Sequence, residues 1–109
     1  MTVGKHSRLR LQLCHCINTA AEGGQVAYAF PKLCCHFGDR SLVPDVAVFR
    51  WERIPFDGDG EVPDDFRLVP DWVVEILSPD RSSNRVIGKI LYCLEQGCQL
   101  GWLIDPIDS

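Results

Sequence analysis

Two short apolar runs each carry an acid: VPDVAVF, Val43 to Phe49, and DWVVEIL, Asp71 to Leu77. In the first, strict alternation puts Val43, Asp45, Ala47 and Phe49 on one face of an extended chain and Pro44, Val46 and Val48 on the other. In the second, Glu75 stands in a run that is apolar on both sides, the pattern of a buried strand. A carboxylate in such surroundings is costly unless something pairs with it. Any fold of this chain must therefore bring cations, or a metal ion, to two strand-borne acids.

The rest of the chain reads as one domain over residues 1–109. Its 109 residues allow a single core, and 46% hydrophobic with 24% charged residues argues against disorder. The net charge of −4 counts against a protein that grips nucleic acid through bulk charge. It counts less against an enzyme that holds a metal with carboxylates. No apolar run is long enough to span a bilayer. The N-terminal segment interrupts its apolar pattern with charges and histidines, unlike a signal peptide. A soluble, cytoplasmic protein with no membrane partner is expected.

Six cysteines contain no C-x-x-C pair. On a helix Cys14 and Cys16 diverge by about 200°, and on a strand Cys34 and Cys35 point to opposite faces. Free, mostly buried thiols are expected. The clusters CHC at 14–16 and CCH at 34–36 leave a zinc site between elements as a further reading.

Residues 5–22 predict an amphipathic helix with Leu9, Leu13, Cys16, Ile17 and Ala20 inward. Gly23 and Gly24 stop it. QVAYAF and KLCCHF read as one strand interrupted at Pro31, or two short ones. GDRS at 38–41 is a turn, and LVPDVAVF returns as the next strand of a hairpin. Residues 52–70 are a long polar loop. Its Asp57 and Asp59 hint at calcium, but the twelfth position counted from Asp57 is Leu68, which excludes an EF-hand. After DWVVEIL, Ser82 or Ser83 caps a helix of about residues 84–96, with Ile87, Ile90, Leu91 and Leu94 on its apolar face. LGWLID is a final strand. The order helix, strands, strand, helix, strand predicts an α/β fold with a mixed sheet flanked by helices, and a parallel pair within 72–105.

If the strands of Asp45 and Glu75 lie side by side, both acids project from one sheet face. Two close carboxylates cannot both ionise cheaply, and a divalent cation removes the conflict. Mg²⁺ suits such a pair, because it takes one or two carboxylates and keeps waters for a phosphate substrate.

The pieces VPDVAVF, PDWVVEILSPD and LGWLIDP resemble the Uma-type family of restriction-endonuclease-like proteins, common in cyanobacteria and placed in the PD-(D/E)XK nuclease superfamily. The resemblance spans roughly residues 5–106 and implies a restriction-endonuclease-like core. It implies a DNA substrate, phosphodiester hydrolysis, and Mg²⁺ or Mn²⁺ held by Asp45, Glu75 and the main-chain carbonyl of Ile76. The motif's lysine position is Leu77 here; the resemblance supplies the lysine from the following helix, as Lys89. His6 matches a histidine early in the first helix. Lys5 and Arg85 stand where family members often carry acids. The family continues further at both ends, so the resemblance also implies a shortened chain. Its exposed sheet edge invites pairing with a second copy into a homodimer. A catalytically inactive nuclease-fold module that binds nucleic acid or a protein is the alternative. By helical projection alone Lys89 falls on the polar side of its helix, while Arg81 and Arg85 flank the helix start, where phosphate binds.

Overall fold

The structure, a computed structural model, describes residues 3–78 and 82–105. The chain runs through helix α1 (Val3–Ala21) and strands β1 (Ala27–Pro31), β2 (Cys34–Phe37), β3 (Arg40–Leu42) and β4 (Val46–Arg50). A 3₁₀ turn (Trp51–Arg53), β5 (Asp65–Phe66), β6 (Trp72–Ile76), helix α2 (Ser83–Glu95) and β7 (Leu100–Ile104) follow. The expected mixed α/β order is present, but the strands divide between two sheets. One is four-stranded, in the order β1-β4-β6-β7; the other is small, in the order β3-β2-β5. In the larger sheet β4 is antiparallel to β1 and β6, while β6 and β7 are parallel. Helix α2 makes the connection that a parallel pair needs.

Alternation along β4 and β6 sorts the core into two faces. Val46, Val48 and Val74 point toward α1, where they meet Cys14, Leu13 and Ile17. Ala47 and Phe49 point the other way, to Leu33, Cys35 and Phe66 of the small-sheet side. Val73, paired with Ala47, joins that second face and meets Cys93 of α2 and Cys98. The larger sheet is thus sandwiched between α1 on one side and the small sheet with α2 on the other. Gly101 on β7 has no side chain where Ile90 of α2 presses on the strand; a Cβ there would collide with the Ile90 methyl.

Four expectations need correction. The hairpin partner of β2 is not LVPDVAVF but the three residues of β3, across a turn at Gly38, whose φ is 61°. QVAYAF and KLCCHF form two short strands, the second of the two expected readings, but β1 and β2 lie in different sheets and not in one, and Lys32, with φ 53°, redirects the chain between them. The loop at 52–70 contains β5, which pairs in parallel with β2 through Cys34↔Asp65 and Cys35↔Phe66. Its Asp57 serves the loop's own backbone, with Oδ1 accepting the N–H groups of Asp59 and Glu61 at 2.8 and 3.0 Å.

The fourth correction concerns both helices, which are turned relative to the stripes read from the sequence. In α1 the buried residues are His6 and Cys14, with Arg10, Leu13 and Ile17 half-buried, while Cys16 and Ala20 are exposed. In α2 Val86, Ile90 and Cys93 are buried, and Ile87, Leu91 and Leu94 are exposed. Ser82 does occupy the N-cap position of α2, but its side chain makes no capping bond.

All six thiols are free; Cys14, Cys35, Cys93 and Cys98 are buried, Cys34 is half-buried and Cys16 exposed. Burial, reinforced by neighbouring thiols, pushes Cys35 up to about 12 and Cys93 up to about 11. No helix among the described residues is long and apolar enough to cross a membrane.

Candidate active site

Asp45 is not inside a strand, as the alternation of VPDVAVF suggests; β4 begins one residue later, at Val46. The register of β4 and β6 ends at Val46↔Val74, so its next step sets Asp45 opposite Glu75. Directly opposed residues share a sheet face, which is the face of Ala47 and Val73. Two reciprocal hydrogen bonds fix the pair. The Ile76 N–H donates to Asp45 Oδ2 at 2.8 Å, and the Asp45 N–H donates to Glu75 Oε2 at 3.1 Å. Each acid thereby satisfies the backbone of the other's segment where regular pairing stops. Both are 1% exposed.

The turn of α2 explains Lys89. Val86, Lys89, Ile90 and Cys93 follow the spacing i, i+3, i+4, i+7, one stripe of a helix. Lys89 therefore lies on the packed side, not the polar side that projection gave it. Its ammonium donates to Glu75 Oε1 at 3.1 Å and to the Val43 carbonyl at 2.9 Å. The side chain is 22% exposed, so its tip bridges buried acid and solvent.

The turn of α1 has the same cause. His6 Nε2–H donates to the Ile76 carbonyl at 2.7 Å, and its Nδ1 accepts from Arg10 at 2.9 Å, an assignment that fixes the ring as the Nε2–H form. Arg10 lies 3.5 Å from Asp45 Oδ1, as does His6 Nε2 from Asp45 Oδ2, while Lys32 approaches Oδ1 at 3.8 Å. Arg10 and Lys32 were missed from the sequence. Arg10 had a signal, since it lies four residues after His6 and shares its helix face. Lys32 had none, because it sits on the crossing between sheets. Arg10 also has a buried Nε with no partner among the described residues.

The sequence therefore named five groups that the structure brings together: Asp45, Glu75, the Ile76 carbonyl, Lys89 and His6. Two carboxylates and a main-chain carbonyl form a set of hard oxygen donors, which fits Mg²⁺ or Mn²⁺ and does not fit a thiophilic ion. Leu77, at the motif's lysine position, bonds only through its backbone N–H, to the Ile104 carbonyl at 2.8 Å, among the hydrogen bonds described for it. Lys89 puts an ammonium beside Glu75 in its place.

An open groove of ≈ 790 Å³ runs past Lys89, lined by Arg40, Leu42, Ser82, Arg85, Val86 and Gly88. Despite the chain's negative charge, three of its lining residues are cationic. Arg40 is committed to the ring of Tyr92, 4.2 Å from its centroid, whereas Arg85 is exposed. Arg81 lies outside the described residues. A second buried acid, Asp71, is structural: it accepts the Arg50 N–H at 2.7 Å and pairs with Arg53 at 2.9 Å.

Comparison with known proteins bears on what such a site does. Residues 1–109 match Uma2, described as "putative restriction endonuclease". The chain belongs to the Uma2 family. It is also similar to a crystal structure described as a putative nuclease belonging to DUF820, from Anabaena variabilis ATCC 29413, at 48% identity and a TM-score of 0.91. That match covers 98% of this chain and 60% of the Anabaena chain, so this Uma2 chain spans less than two thirds of its neighbour's length. No match was found among curated proteins. The likeness bears out the mixed α/β fold with flanking helices as a nuclease-type fold.

Proposed function

We propose that this Uma2 chain carries the PD-(D/E)XK active site of an endonuclease that hydrolyses DNA phosphodiester bonds with Mg²⁺ or Mn²⁺. Asp45, Glu75 and the Ile76 carbonyl hold the ion, and Lys89 acts beside it. The observation that carries the reading is the Lys89 ammonium at 3.1 Å from Glu75, within an acid pair shielded from bulk water. When bound, the metal supplies an activated water and screens the phosphate charge. Lys89, beside Glu75, offers donors to the oxygens on which negative charge develops. Its anchor on the Val43 carbonyl holds the stem in place, so little reorganisation is needed. His6 steadies the Ile76 carbonyl from the α1 side, and Arg10 steadies His6. The groove cations Arg40 and Arg85 offer the DNA backbone a positive track toward Lys89. The proposal includes a cytoplasmic location and a homodimer paired along an edge of the larger sheet, whose edge strands are β1 and β7.

One observation favours the alternative of an inactive module that binds nucleic acid or a protein. Lys89, Arg10 and Lys32 already face the two acids, so the cluster neutralises much of its own charge. The deciding experiment titrates Mg²⁺ and Mn²⁺ into the purified chain by calorimetry and assays plasmid cleavage in parallel. The nuclease reading expects metal binding and cleavage, both lost in Asp45→Asn. Metal-independent DNA binding without cleavage supports the alternative.

A further inference from the structure

A second cluster of ligating side chains lies on the small sheet, remote in chemistry from the acid pair. Cys34 and His36 are two residues apart on β2 and so share its face. Asp65 of β5 is the register partner of Cys34, which brings it to that same face. Ser41 of β3 is the register partner of His36 and completes the row. Cys35 and Phe66, on the opposite face, are fully buried, which pins the register and holds the row outward.

The donor atoms meet at one point. Ligand atoms of Cys34, His36 and Asp65 all lie within 4.8 Å of one another. Cys34 Sγ is 3.6 Å from His36 Nε2, and Asp65 Oδ2 is 2.8 Å from the same nitrogen. Donors of these kinds around a tetrahedral Zn²⁺ stand roughly 3.3–3.7 Å apart. The sulfur–nitrogen distance already matches. The carboxylate needs to back off by about half an ångström, which Asp65, at 47% exposure, is free to do by a side-chain rotation. The other ring nitrogen, Nδ1, lies 2.6 Å from Ser41 Oγ. With its hydrogen on Nδ1, His36 would donate to Ser41 and present Nε2 to the ion, which is how metal-bound imidazoles are oriented.

The geometry points to a binding site for a borderline-soft divalent ion of the zinc class, with Cys34, His36 and Asp65 as ligands, Ser41 orienting His36, and solvent in the fourth position. It stands apart from the acid pair in both residues and ligand chemistry. Thiolate and imidazole select zinc over magnesium, as the all-oxygen set of the other site does not. The site joins β2 to the two-residue β5, so an ion there would fasten the end of the long 54–64 loop. The helical cysteines of the CHC run take no part; Asp65, from that loop, supplies the third ligand.

The test uses Co²⁺ as a spectroscopic stand-in, titrated into the reduced full chain, followed by displacement with Zn²⁺. One equivalent of Co²⁺ giving tetrahedral visible bands and a near-ultraviolet thiolate-to-cobalt band, both bleached by Zn²⁺, is the expected result. Cys34→Ser should abolish the thiolate band, and Ser41→Ala should weaken affinity roughly 10- to 100-fold. Asp45→Ala should leave the titration unchanged, which separates this site from the proposed nuclease metal. Zn²⁺ should also raise the Tm of the wild type and not of His36→Gln. A thiolate band that survives in Cys34→Ser, or no stoichiometric Co²⁺ binding by the wild type, would overturn the proposal and leave His36–Asp65 as a surface ion pair.

Discussion

The acid cluster at the end of β4 and β6 and the thiol–imidazole cluster on the small sheet differ in what surrounds them. Asp45 and Glu75 are buried and ringed by basic side chains from three places, α1, the crossing after β1 and α2, and by backbone N–H donors of each other's segment. Cys34, His36 and Asp65 sit half in solvent on the outer face of two neighbouring strands, β2 and β5, with a single hydroxyl, from β3, behind them. The first cluster is part of the packing and shapes the elements around it. The second is attached to a sheet that would fold much the same without it. Burial therefore ties function to stability in one place and leaves them separable in the other.

The largest test of that contrast is truncation of one acid from each region. Glu75→Ala removes the partner of a part-buried ammonium and the acceptor of the Asp45 N–H. Breaking a buried, hydrogen-bonded pair of this kind costs about 3–5 kcal/mol. Asp65→Ala breaks only a half-exposed pair with His36, worth about 0–1 kcal/mol after solvent screening. Urea denaturation of the two variants, without added metal, measures the difference. Equal losses would show that the acid pair is not the keystone its burial suggests.

That coupling also explains what could and could not be read from the sequence. The strands around Asp45 and Glu75 were legible, because alternation and a buried acid leave few alternatives. The helical faces were not. Hydrophobic periodicity assumes that cations point to water, so it sent Lys89 outward, left Arg10 and His6 out of the apolar stripe, and sent Ile87, Leu91, Cys16 and Ala20 inward. The buried carboxylates reverse this. They draw the polar stripe of each helix toward the sheet, and the neighbouring apolar residues rotate into solvent. Lys89 was recovered only through family resemblance. The small-sheet cluster was half legible: CCH stood out, but Asp65 comes from a two-residue strand in a loop rich in Gly, Pro and Asp, where no periodicity can form. The pairing Cys34↔Asp65 is a tertiary fact with no local trace.

Lys89→Ala sharpens the comparison further, because it separates chemistry from packing within the buried cluster. Loss of one preorganised donor to a developing phosphate charge lowers cleavage by about 10²-fold. The sequence reading, with Lys89 on the polar side, leaves folding untouched. The structure predicts otherwise, since Glu75 at 1% exposure loses its ammonium; a measurable drop in Tm should accompany the drop in rate. Added Mg²⁺ should restore part of the Tm and little of the rate. A variant with full Tm would mean that Lys89 and Glu75 do not pair in solution.

Alkaline pH probes the thiols that separate the two regions. Cys35 and Cys93 face inward, and their thiols titrate near 12 and 11 in the folded chain, above the ordinary value of 9.0. The folded state therefore keeps protons that the unfolded chain releases. Stability is unaffected below about pH 9 and falls as pH climbs from there toward the folded values. Urea midpoints at about pH 8 and about pH 10.5 should show the decline, and Cys35→Ala should flatten it. Flat midpoints in the wild type would mean that these thiols are reached by water.

The smallest expected effect is at the groove that connects the regions, with Arg40 and Leu42 on the small-sheet side and Arg85 and Lys89 on α2. Arg40 is held over Tyr92, so its position is fixed by packing. Arg85 is exposed one turn before Lys89, where a phosphate approaching the acid pair would pass. A single phosphate contact adds about one to the slope of log affinity against log salt and changes little else. Arg85→Ala should therefore weaken DNA binding several-fold, about 1 kcal/mol, and lower the salt slope by about one. Its Tm should match the wild type, as an exposed helix position tolerates alanine. Arg8→Ala, an exposed arginine on α1 away from this groove, is the matched control and should leave the slope unchanged. Fluorescence anisotropy of a labelled duplex across a salt series, in Ca²⁺ to hold back cleavage, reads both variants. An equal loss from Arg8→Ala would mean that DNA is held by diffuse charge, and that the groove is no track to Lys89.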